Sequence, residues 1–382
     1  MKKPNLFIWL TLGAIARVYA YFLGLRFVQK DKIKGSAIVL ANHNSFKDFF
    51  YSTAAVYPHR MTYLAAAKMF HESHRRPFLK LARAIPKAMF QSDPASIKST
   101  FQILKQKGIV GIYPEGQISY HGTSLPSPFA IAKLLKKAKV PVYICHIQNA
   151  YLMSPPWTKR VFKGKVYVRF YQALTPNQLE QMNEEDIYRT IAQQLHFNTG
   201  EYNRKHQHMY QVQPIKGLEP LLYQCPACLF EGLTAVDHTL ICPQCKHTLT
   251  YDKFGFLNGK SVYEWFELQR TRLEEGIIRT KNYQLSIPVR LVRYQGKGLG
   301  QVGEGVFTVS EDACRYEGTD QGHTKRYVYT INTVPFLPAD IGLNVQIYYD
   351  NEVYIFEMDD PVMSTKMFIA GEYFHQLVKH KL

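Results

Sequence analysis

The sequence predicts an α/β domain, then a cysteine-bearing segment, then a small β-rich region. Three patterns predict it. Between residues 36 and 171, short apolar runs of strand length alternate with longer segments of helical period, as in α/β layer folds. Two Cys-x2-Cys pairs follow. From Ile287 onward, short alternating apolar segments are separated by turn signals. The 382 residues exceed what one hydrophobic core usually spans, so two or three domains are expected. A composition of 46% hydrophobic and 20% charged residues excludes a disordered or collagen-like chain.

Taken in order, residues 6 to 25 are about as long as a transmembrane helix but carry Arg17 near the centre, which opposes a buried span. With Lys2 and Lys3 ahead and Trp9, Tyr19 and Tyr21 inside, residues 1–28 read as a membrane-associated helix lying in one leaflet. A signal peptide cleaved after Val18-Tyr19-Ala20 and an ordinary buried core helix are the competing readings. Ser36 to Ala41 reads as a buried strand, and Asn42 to Ser45 as polar residues opening a helix, so His43 falls at a strand-to-helix turn.

Ser92-Asp93-Pro94 starts a helix with proline at its first position, and Gly108 ends it. Ile109 to Tyr113 is a second buried strand; Phe129 to Ala138 a helix; Val140 to Ile147 and Val166 to Tyr171 two more strands. Residues 203 to 223 read as a connector. Strands are then expected at Val306 to Val309, Tyr327 to Ile331, Val345 to Tyr349 and Val353 to Phe356, with a helix over Ser364 to Lys379. By pattern, residues 257–382 resemble a PH/GRAM-like barrel with its C-terminal helix. Gly298-x-Gly300-x-x-Gly303 matches a dinucleotide fingerprint, but a strand follows where a helix is needed, so it reads as a flexible hairpin connection.

His43 and Asp48 have the spacing His-x4-Asp, in which an imidazole takes a proton from a hydroxyl while the carboxylate fixes its tautomer. His247 and Asp252 share that spacing, with no strand-to-helix turn expected around them. Tyr113-Pro114-Glu115-Gly116 after the second buried strand and Val140-Pro141 before the next complete an ordered set around the first pair.

That set resembles the 1-acylglycerol-3-phosphate acyltransferase family, with its Asn-His-x4-Asp motif, basic middle block, Phe-Pro-Glu-Gly-Thr-Arg-Ser segment and later Val-Pro. The resemblance implies an acyltransferase domain over residues 29–205, in which His43 is the general base, Asp48 its orienting partner and Asn42 a neighbour shaping the turn. Glu115 and Gly116 would line the acceptor site. It further implies a fatty acyl donor, acyl-ACP or acyl-CoA, and direct attack by a lysophospholipid hydroxyl without a covalent intermediate. The chain departs from the family in two places. Ile118 stands where the family has an arginine, and Lys87 stands where the middle block often ends on one. Lys87 is the candidate phosphate contact in that arginine's place, and Lys68, Arg75, Arg76 and Arg83 are further candidates.

Lys and Arg number 47 against 30 Asp and Glu, a formal charge of +17 that favours anionic partners. Between Arg60 and Lys107 the only acidic residues are Glu72 and Asp93, which concentrates the basic excess after the His43 motif. Cys225, Cys228, Cys242 and Cys245 are spaced as four thiolates around one structural zinc, a zinc ribbon over residues 218–256. The pairing fits a reducing compartment, placing the chain at the cytoplasmic face of the cell membrane. The rival function is a zinc-ribbon adaptor binding nucleic acid or a protein partner, with an inactive acyltransferase domain. Leu240 to Tyr251 lacks dense basic and aromatic interleaving, so nucleic acid is not the expected partner.

Overall fold

The computed structural model describes residues 2–296, 298–331, 337–350 and 352–381. They form two compact units, the first being residues 1–70, 74–213 and 252–256, the second residues 71–73, 214–251 and 257–382.

The first unit opens on α1 (Leu6–Phe22), whose N-cap Asn5 accepts from the amides of Phe7 and Ile8. Then come β1 (Leu25–Lys30), β2 (Ala37–Ala41), α2 (Asp48–Val56), β3 (Met61–Ala66), α3 (Arg76–Leu81), β4 (Ile85–Lys87), α4 (Pro94–Lys105) and β5 (Ile109–Ile112). After these follow α5 (Ala130–Ala138), β6 (Val142–Gln148), α6 (Ala150–Met153), β7 (Val166–Leu174), α7 (Pro176–Gln181), α8 (Glu184–Leu195) and α9 (Thr199–His206). The strands make one sheet in the order β1-β7-β6-β2-β5-β3-β4. β2 is parallel to both its neighbours, β5 and β6, while β7 runs antiparallel to β6. Every residue of β2 and β5 is buried, as expected of strands covered on both faces. On one face Ile38, Leu40, Val110 and Ile144 pack with Ile103 of α4, Leu135 of α5 and Ile191 of α8.

α4 starts where Asp93 accepts from the Ser96 amide, with Pro94 at the first position. α1 buries Trp9, Gly13 and Ala20 but exposes Phe7, Ile15, Val18 and Phe22. Among the described residues no helix is long and apolar enough to cross a membrane.

In the second unit the paired cysteines flank a three-stranded antiparallel sheet of Thr234–Val236, Thr239–Ile241 and Thr248–Thr250. A helix absent from the sequence reading, Val262–Arg279, begins at a capping box between Ser261 and Glu264. Its Gln269 side chain accepts from the Tyr223 amide and donates to the Leu221 carbonyl, and Arg270 pairs with Glu372 at 2.7 Å on the last helix, Pro361–Lys381. These bonds knit the cysteine segment and the β-rich segment into one unit.

The β-rich part is a seven-stranded sheet. Its strands are Gln284–Gln295, Gly298–Ser310, Ala313–Asp320, His323–Thr330, Ala339–Asp340, Asn344–Tyr349 and Glu352–Glu357. Numbered one to seven along the chain, they lie in the order 4-3-2-1-7-6-5. Phe307 and Phe356 stack at 4.2 Å in its interior. The glycines of 298–303, expected as a flexible connection, lie within the second strand. A Cβ at Gly303 would sit 1.6 Å from the Thr319 carbonyl oxygen, so only glycine allows that close approach of strands.

Candidate active site and a four-cysteine centre

Parallel strands β2 and β5 lie side by side and end at the same edge of the sheet, where α/β folds carry their sites. The chain leaving β2 carries Asn42 and His43; the chain leaving β5 carries Tyr113 and Glu115. Asn42 is fully buried, and its amide group donates to the Ile147 carbonyl at 2.8 Å and accepts the Ile147 amide at 2.7 Å. That two-way bond fixes the end of β2 to β6.

His43 Nδ1 lies 3.0 Å from Asp48 Oδ2. The same oxygen accepts the backbone amides of Asn44 and Ser45, each at 2.8 Å. Asp48 is the first residue of α2, and the loop wraps over its carboxylate. Burial pushes the Asp48 carboxyl up, opposed by His43 and the two amides. An oxygen that already accepts two N–H groups makes His43 Nδ1 the donor and leaves Nε2 as the acceptor. The His43 side chain keeps 21% of its surface exposed while Asp48 keeps none, so the base faces outward and its partner does not.

Glu115 is turned to the backbone. One carboxylate oxygen accepts the His43 amide at 2.9 Å and the other the Leu125 amide at 2.8 Å, and burial pushes its carboxyl up to about 8. Gly116 has φ +78, in the left-handed region. Arg83, also at positive φ, donates to the Lys3 carbonyl at 3.1 Å. Lys87 ends β4 half-buried and donates to the Ala88 carbonyl at 3.3 Å. The structure thus bonds both Asp48 and Glu115 to His43, while the Asn42 side chain is spent on the Ile147 backbone. In the duplicate spacing, Asp252 caps a turn, its Oδ1 accepting the amides of Phe254 and Phe256.

Sequence reasoning passed over Ser52 and Tyr63 here and gave Tyr113 no role of its own. Tyr113 stacks on the His43 ring at 4.4 Å and 28°. Its hydroxyl lies 2.7 Å from Ser52 Oγ, which lies 2.7 Å from the Tyr63 hydroxyl. The available signal was that Ser52 falls one helical turn after Asp48.

In the second unit, the Sγ atoms of Cys225, Cys228, Cys242 and Cys245 lie within 4.8 Å of one another. Cys225–Cys245 and Cys228–Cys242 are 3.6 Å apart, too long for disulfides and close to the ~3.8 Å edge of a tetrahedron with metal–sulfur bonds of about 2.3 Å. Each Cys-x2-Cys turn is followed by a residue at positive φ, Leu229 and Lys246, whose amides bond back to Cys225 and Cys242. Two like turns thus face their thiols to a common point, and the set fits one metal ion.

Residues 24–148, which carry the outward-facing, carboxylate-held His43 beyond the parallel strands, match the family model described as acyltransferase. A 1-acyl-sn-glycerol-3-phosphate acyltransferase of Bacillus subtilis (strain 168) is 26% identical over 147 residues, which are 37% of this chain and 70% of that protein. The crystal structure of the 1-acyl-sn-glycerophosphate (LPA) acyltransferase of Thermotoga maritima aligns with a TM-score of 0.41 at 18% identity, covering 50% of this chain and 78% of that one. The chain is an acyltransferase, and its first unit is similar to the 1-acyl-sn-glycerol-3-phosphate acyltransferases.

Proposed function

We propose that the protein moves a fatty acyl group from acyl-ACP or acyl-CoA to the free hydroxyl of 1-acyl-sn-glycerol 3-phosphate, at the cytoplasmic face of the cell membrane, in phospholipid biosynthesis. The observation that carries the reading is the His43–Asp48 pair. His43 Nε2 takes the proton of the acceptor hydroxyl as its oxygen attacks the thioester carbonyl. Asp48 holds the imidazolium. The C–S bond then breaks, and the thiolate leaves with the proton from His43. The acceptor class follows the name of the Bacillus relative and the basic block from Arg60 to Lys107.

Membrane docking is supported by α1, where Phe7 is 76% and Phe22 80% exposed. Phe46 and Phe49, beside His43 and Asp48, are also exposed, and Tyr19 of α1 meets Phe50 of α2 edge-on at 4.6 Å. Exposed apolar side chains on α1 and next to the base suit an enzyme whose substrates lie in a bilayer. In the second unit the four thiolates are assigned to structural zinc, since they leave no open position for chemistry. The strand order 4-3-2-1-7-6-5 with a closing helix supports the PH/GRAM-like reading of the β-rich part.

The test is acyl transfer from a labelled thioester by the purified protein in vesicles, with lysophosphatidic acid or monoacylglycerol as acceptor. Phosphatidic acid is the expected product. Equal rates with the neutral lipid would assign the acceptor to another class.

A further inference from the structure

Asp48 and Ser52 stand four residues apart on α2, one above the other on a single face. Asp48 grips the His43 ring by its Nδ1 edge. Ser52 grips it indirectly: its Oγ holds the hydroxyl of Tyr113, whose ring lies on the face of the imidazole. Tyr63 completes the anchor. Its hydroxyl bonds Ser52 Oγ and lies 2.8 Å from Thr53 Oγ1, and its ring is parallel to that of Tyr113 within 6°. Ser52 is buried, and burial holds both tyrosines above their ordinary range, so the hydroxyls stay neutral beside the base.

We propose that Tyr113, anchored by Ser52 and Tyr63, is a positioning residue for the transfer, setting the plane of the His43 ring so that Nε2 meets the acceptor hydroxyl. The inference rests on His43 as the base. One helix face fixes the imidazole in two directions at right angles, in its plane through Asp48 and across it through Tyr113. A ring free to turn about its Asp48 bond would meet the hydroxyl in fewer productive orientations, and misplacement by a fraction of an ångström is costly in rate. The aromatic face also favours the imidazolium that forms during transfer.

The experiment compares wild type, Tyr113→Phe, Tyr113→Leu, Ser52→Ala, the Tyr113→Phe/Ser52→Ala double variant and His43→Ala, each corrected for folded fraction by thermal melting. Tyr113→Phe and Ser52→Ala are each expected to lower kcat about three- to tenfold with KM unchanged, and the double variant to be no worse than either single, because both cut one link. Tyr113→Leu is expected to lower kcat further and to move the acid limb of the kcat profile to lower pH, as the imidazolium loses its aromatic face. Wild-type kcat and an unmoved limb in every Tyr113 and Ser52 variant, with His43→Ala inactive, would overturn the positioning role and leave the base in place. An active His43→Ala would remove the base reading itself.

Discussion

Lys87 and Arg83 are both candidates for an acceptor phosphate in sequence, and their surroundings separate them. Arg83 gives a guanidinium N–H to the Lys3 carbonyl, tying down the segment before α1. Lys87 sits at the end of β4, where burial lowers its ammonium pKa and Asp93 opposes the shift. A cation partly stripped of water gains more from a dianionic phosphate than an exposed one does. Lys87→Gln is therefore expected to raise the KM for lysophosphatidic acid about tenfold, roughly 1.4 kcal/mol, with thioester hydrolysis unchanged. Its lowered pKa sets a sign as well: the ammonium loses its proton at lower pH than a free lysine, so acceptor KM rises earlier on the alkaline side. Titration of KM against pH for the two proteins checks both points, and identical values would return the phosphate to another cation.

At the scale of elements, α1 shows what pattern alone leaves open. A membrane-facing helix and a buried core helix have the same apolar residues. The structure divides them, Trp9, Gly13 and Ala20 inward and Phe7, Ile15, Val18 and Phe22 outward. Phe7→Asp/Phe22→Asp removes apolar surface that makes no core packing, so the melting temperature should hold while vesicle binding weakens by at least tenfold, each buried phenyl being worth about 1.5–3 kcal/mol. Undiminished sedimentation with vesicles would locate the docking surface elsewhere. The β2 turn, α4 and most later strands were legible because each carries a local signal, such as Pro94 after Asp93 or a fully apolar run after Gly35. The helix Val262–Arg279 was not, since the polar Gln269 interrupts its buried face between Phe266 and Ile277; only the Ser261–Glu264 box announced it. The glycines of 298–303 hid a strand for a related reason, because a requirement set by a neighbouring backbone leaves no periodic trace.

For the whole molecule, the two units rest on different kinds of cohesion. The first buries two fully apolar central strands between helices. In the second, the cysteine segment is short, its strands are three residues each, and its thiols converge without a disulfide. A bound metal would supply much of its folding energy. Elemental analysis is expected to find one zinc per chain, and Cys225→Ser to release it and open the amides of residues 220–255 to hydrogen exchange. Reduced protein free of metal with those amides still protected would refute the assignment.

The role of His43 as the base is open to direct measurement. That measurement is the rate of labelled acyl transfer to lysophosphatidic acid by His43→Ala, beside wild type and a His247→Ala control of identical x4 spacing. A loss of about 10²–10⁴-fold is expected for His43→Ala at unchanged melting temperature, with His247→Ala near wild type. Transfer by folded His43→Ala at the wild-type rate would contradict it.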